Sequence, residues 1–159
     1  MRGLILLVAA AVVVGTCAAS ASAGRPSRDP APLPSQFTVA GVCAFDVDFT
    51  ITAQNEYSLT FGNGSQIITG KLFATLTNVD TGKSLDLNVS GPTFTTAGSN
   101  QIVLTGRSIN FFGPGDLGAG SPGLMVLTNG PAVITFGENN VTFDVRSASV
   151  TDLCLALAG

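Results

Sequence analysis

Hydrophobic and polar positions alternate along most of the chain. Phe45, Val47, Phe49 and Ile51 are interleaved with Asp46, Asp48, Thr50 and Thr52. A period of two gives an extended strand one apolar face and one wet face. Tyr57, Leu59 and Phe61 repeat the alternation. Gly62-Asn63-Gly64-Ser65 then supplies a hairpin turn, since Gly and Asn tolerate positive φ. Ile67 to Val79 reads as a long strand, Asp80-Thr81-Gly82-Lys83 as a turn, and Leu85, Leu87 and Val89 restart the pattern.

Gly91-Pro92 interrupts it. Thr93 to Thr96 is a short strand, and Ala97-Gly98-Ser99-Asn100 turns the chain into a second long strand, Ile102 to Phe112. The Gly-rich stretch 113–123 (GPGDLGAGSPG) is the longest loop. Leu124–Leu127, Ala132–Phe136, Val141–Val145 and Val150–Leu157 complete the series. No segment carries a 3.6-residue apolar stripe. The pattern predicts an all-β antiparallel meander of about eight to ten strands, closed or nearly closed into a barrel, with a β-sandwich as the alternative.

The two ends of the pattern differ from its middle. Arg2, the apolar run Leu4–Gly15 and the small-residue triplet Ala21-Ser22-Ala23 form the three parts of a secretory signal. The run is shorter than the roughly 20 residues a membrane span needs. Residues 1–23 are therefore expected to be a signal peptide cleaved near Gly24, and the mature protein to be secreted. Val14-Gly15-Thr16-Cys17 loosely matches a lipobox, so lipid anchoring through Cys17 is the competing expectation. Residues 24–37 hold four prolines and few apolar side chains, which predicts a disordered Pro-rich tail. The β domain is expected over 38–159.

Cleavage changes the composition that matters. It leaves six basic and ten acidic residues, a net charge of −4. Nucleic acid wants clustered Lys and Arg, so nucleic acid is a poor partner for this surface. Cys43 and Cys154 remain, an even count in an oxidising compartment, which favours a disulfide; two buried free thiols are the alternative. A bridge there would tie the first strand to the last.

Candidate chemistry is sparse. The chain has no His, which removes Ser-His-Asp and Cys-His catalysis and most catalytic zinc sites. Gly113-x-Gly115-x-x-Gly118 and Gly118-x-Gly120-x-x-Gly123 match a dinucleotide fingerprint, but the strand–helix context it needs is missing. The loop reads as a surface loop, or as a lid if the domain has a ligand mouth. Asp46 and Asp48 share one strand face and read as a solvated face, a Ca²⁺ site or a carboxylate pair, with a barrel lumen as the alternative to solvent. Thr69-Gly70-Lys71, Thr81-Gly82-Lys83 and Thr105-Gly106-Arg107 repeat T-G-[KR], as a basic triad or as recurrent turns and bulges. Asn63, Asn88 and Asn140 begin glycosylation sequons. No catalytic, cofactor-binding or metal residue is assigned and no cofactor is expected.

The chain resembles a group of small secreted, uncharacterised β-domain proteins of actinomycete-like bacteria. The resemblance rests on Cys43-Ala44-Phe45, Phe61-Gly62-Asn63-Gly64, the stretch Gly70–Pro92 and Asp152-Leu153-Cys154. It implies an exported, disulfide-bonded β fold and transfers no active site. Three functions remain open. The first is a non-enzymatic extracellular domain that binds an unspecified partner, a surface glycan or a small apolar molecule, or contributes to the cell surface. The second is a barrel carrying a small hydrophobic ligand. The third is a His-free enzyme using acids such as Asp46, Asp48 or Asp144.

Overall fold

A computed structural model describes residues 24–159 of the chain. The expected signal peptide and Cys17 lie outside the described residues. The chain enters with strands β1 (Ser27–Pro30) and β2 (Gln36–Val39), followed by the long pair β3 (Val47–Thr60) and β4 (Gln66–Asn78). Then come β5 (Ser84–Asn88), β6 (Thr93–Thr95), β7 (Gln101–Leu104) and β8 (Arg107–Phe112). The last strands are β9 (Leu124–Asn129), β10 (Ala132–Phe136), β11 (Val141–Asp144) and β12 (Ser149–Asp152), ahead of a short helix α1 (Leu153–Leu157). Every strand pairing is antiparallel.

The strands form two sheets. A nine-stranded sheet runs β1-β3-β4-β6-β7-β10-β11, with β2 added to β3 and β5 added to β4. A three-stranded sheet runs β12-β9-β8. Neither path returns on itself among the described residues, so the expected closed barrel is not found. Two separate sheets are consistent with the sandwich alternative. The chain changes sheet at Gly106. The expected strand Ile102–Phe112 breaks there, at φ +84°, a left-handed conformation that glycine adopts at no steric cost. The chain leaves the large sheet as β7 and enters the small one as β8.

The small sheet buries side chains on both faces, and one face carries a hydrogen-bonded polar group of Ser108, Asn110 and Thr128. Met125 and Leu127 of β9 join one core cluster with Val47, Phe49, Ala74 and Leu76. Val126, between them, joins a second cluster with Leu104, Phe112, Ala132 and Ile134. Alternate residues of a strand point to opposite faces. The β3–β5 half of the large sheet therefore covers one face of β8–β9, and the β7-β10-β11 half covers the other.

The N-terminal segment differs from the expected disordered tail. β1 pairs with Tyr57–Thr60 and β2 with Val47–Thr50, both on β3. All four residues of β1 are exposed. Composition argued from side-chain burial, whereas this segment is held by backbone bonds to a strand edge, which need no apolar side chain. Arg28 adds a cation–π contact, 3.8 Å above the Tyr57 ring.

The C-terminal end also differs. The expected strand Val150–Leu157 stops at Asp152, whose side chain accepts a hydrogen bond from the Leu155 amide and caps α1. Leu153 and Leu157, one helical turn apart, are both buried. Cys43 and Cys154 are bonded, with Cα atoms 5.4 Å apart across 111 positions of sequence. The bond does not join the first and last strands. It joins the irregular segment ahead of β3 to helix α1, while β12 pairs with β9.

Candidate functional site

Strand β3 changes face midway. Val47, Phe49 and Ile51 sit opposite Asn78, Leu76 and Ala74 on the core face. The register then shifts at Thr52, so that Ala53 opposes Phe73 and Gln54 opposes Leu72. Such a β-bulge turns every later side chain to the opposite face. Tyr57 and Leu59, which continue the odd-numbered apolar pattern, are thereby sent outward. Gln54, Glu56 and Ser58 take their place on the inner side. Glu56 lies opposite Gly70. An added Cβ on Gly70 would strike the Asn55 carbonyl oxygen, and Gly70 has φ +141°. No side chain thus fills the space across from the carboxyl.

The result is a cleft of about 240 Å³ between the two sheets. Its floor is Phe49, Ile51, Leu72 and Ala74; its far wall is Ile109 and Phe111 of β8. Phe37 of β2 stacks on Phe49, ring centroids 4.8 Å apart. Leu33 comes from the Pro-rich segment and lines the cleft as well. Gln54 holds it there by a two-point clamp: the Leu33 amide donates to Oε1 at 2.8 Å and Nε2 donates to the Leu33 carbonyl at 3.0 Å. Loss of this clamp in Gln54→Ala is expected to cost about 1 kcal/mol. It should also make residues 31–35 the first segment cut in limited proteolysis. Unchanged cleavage would show that the clamp does not hold the strap.

Glu56 is the one ionisable residue lining this cleft. Burial raises its carboxyl above the ordinary carboxylate range. Among the described residues it makes no ion pair; the one salt bridge joins Arg146 to Asp144. The folded state therefore holds the Glu56 proton more tightly than the unfolded chain. Stability should fall as pH rises from the unfolded value through the folded one. Glu56→Gln removes the ionised form. It is expected to raise the denaturant midpoint at neutral pH and to leave it unchanged well below the carboxylate range. Equal midpoints at neutral pH would contradict this.

The residues singled out in the sequence do not assemble into a catalytic site. Asp48 accepts a hydrogen bond from the Thr38 hydroxyl, and Asp46 is exposed. Asp144 lies on β11, paired with Arg146 at 3.4 Å. Among the described residues no three His, Cys, Asp or Glu side chains are grouped to hold a metal ion. The Gly-rich loop is followed by strand β9, not a helix. The Asp116 carboxylate accepts the Gly113 amide at 2.6 Å, and its carbonyl accepts the Val141 amide at 2.7 Å. The loop is thus tied to β11, and no residue of it lines the apolar cleft. The T-G-[KR] glycines fall in a strand, a turn and a sheet-to-sheet break. Asn63, Asn88 and Asn140 are exposed. The fold and cleft together define a disulfide-stapled, all-β domain with an apolar groove. No family model, no curated protein and no solved structure matches this chain.

Proposed function

We propose that the domain acts outside the cell as a non-enzymatic binder of a small, largely apolar molecule, held between the two sheets rather than in a barrel lumen. The observation that carries this reading is the cleft itself. A cavity of about 150 Å³ lined by aliphatic and aromatic side chains stays dry and takes up benzene. The groove here is larger, at about 240 Å³, and its lining is mainly apolar. Phe111 is 51% exposed and Ile68 38% exposed where the groove opens. Covering such surface is favourable at about 25 cal/mol per Å². The disulfide fits an extracellular setting. No described helix is long and apolar enough to cross a membrane.

The test is a fluorescence titration with N-phenyl-1-naphthylamine, which brightens in apolar sites. Saturable enhancement, displaced by 1-octanol, is expected. Phe111→Asp alters a half-exposed rim residue and should weaken the probe about tenfold. No enhancement with the unaltered protein, or full affinity in Phe111→Asp, would overturn the reading.

A further inference from the structure

The shape and lining of the groove constrain the polar end of a bound ligand. The groove's lining on β3 runs from Phe49 to Glu56, about 20 Å at normal strand rise. A volume of about 240 Å³ spread over that length makes the groove narrow. One end is the stacked Phe37–Phe49 pair. The other end is Glu56, opposite the side-chain gap at Gly70. We infer, building on the binding role proposed above, that the groove takes a linear amphiphile whose hydrocarbon chain lies toward Phe49 and whose ammonium group meets the Glu56 carboxylate.

Three observations converge on a cationic end. First, Glu56 brings two acceptor oxygens, and no hydrogen bond from the described residues satisfies them. Solvent reaches these oxygens, and an ammonium would replace that water with a donor of opposite charge. Second, no Lys or Arg lines the groove. Arg28 lies over the outward Tyr57 ring and shares a separate hollow with Glu56 outside the groove, and Lys71 lies 5.4 Å from the outward Phe73 ring. A ligand carboxylate would find no cation there and would be repelled. Third, the bulge at Thr52 gives the carboxyl its place. Without that extra residue the inner position would fall to Asn55 or Tyr57. Bulges commonly re-aim a side chain next to a binding site. The half-buried carboxyl disfavours its own charge, and an ammonium beside it would restore it.

The experiment is isothermal titration of the disulfide-intact protein at neutral pH with octylamine, 1-octanol and octanoate, which share one chain length. Octylamine is expected to bind about tenfold more tightly than 1-octanol, with octanoate weakest. E56Q should bring octylamine down to the affinity of 1-octanol and leave 1-octanol unchanged. An accompanying NMR titration should show the Glu56 carboxyl pKa falling when octylamine is bound. Equal binding of octylamine and 1-octanol would overturn the ammonium assignment while leaving the apolar groove standing. So would an E56Q loss shared by all three probes. Failure of all three probes to bind would overturn both.

Discussion

Removing the Cys43–Cys154 bond is expected to lower the stability of the domain by about 4 to 5 kcal/mol, the largest single effect on the fold. The bond closes a loop spanning 111 positions. In the chain-entropy account, a loop of about 100 residues restricts the unfolded ensemble by about 4.7 kcal/mol. The native contribution adds to it. Cys154 sits in α1, whose Leu153 and Leu157 are buried in the core cluster shared with β3, β4 and β9. Cys43 and Cys154 themselves pack against that cluster. Cutting the bond thus frees a five-residue helix that is too short to persist unaided. The double variant Cys43→Ala/Cys154→Ala should melt about 15 °C lower than the parent. Urea unfolding with and without reductant measures the same quantity. A loss under about 1 kcal/mol would show that the loop is already constrained in the unfolded state.

Asn78→Ala is expected to cost about 3 kcal/mol, through a different mechanism. Asn78 is 1% exposed at the end of β4. Its Nδ2 donates to the Leu157 carbonyl at 3.1 Å. Its Oδ1 accepts the Asp80 amide at 2.9 Å and the Thr81 amide at 3.2 Å. One side chain thus satisfies the last turn of α1 and shapes the β4–β5 turn. Alanine strands a buried carbonyl and two part-buried amides, each worth about 1 to 3 kcal/mol when left unpaired, less whatever water can recover. Asn78→Asp keeps the two acceptor bonds but loses the donor and buries a charge, so it should also destabilise. The two sites hold the same helix. A double-mutant cycle between Asn78→Ala and the cysteine pair should therefore be non-additive by at least about 0.5 kcal/mol. Strict additivity, checked by chemical denaturation, would mean that the bond and the amide anchor α1 independently.

The fold was legible where one residue type decides the backbone. The alternation at Val47–Ile51 matches β3, and Gly62–Ser65 forms its turn, with the Phe61 amide donating to the Ser65 carbonyl at 2.9 Å. Cysteine counting found the bonded pair. The candidate site was not legible, because a bulge leaves no mark in the alternation. Tyr57 and Leu59 repeat the odd-numbered apolar alternation beyond the polar Asn55, and the pattern does not say which face they take. The register shift at Thr52 sends them outward and turns Glu56 inward. The ordering of β1 was invisible for a related reason: backbone pairing along β3 needs no hydrophobic pattern. Helix α1 did leave a trace, in Asp152 as cap followed by Leu153 and Leu157 at helical spacing. Its five residues were too few to stand out from a strand.

Whether the groove between the sheets takes a ligand is decided by methyl NMR on the disulfide-intact protein. With side-chain methyls resolved, 1-octanol is titrated in. A ligand site there gives saturable shifts confined to groove residues such as Ile51, Leu72 and Ile109, with the second-cluster residues Leu104, Val126 and Ile134 unmoved. Groove methyls that stay still at millimolar 1-octanol, or shifts spread evenly over both clusters, would contradict it.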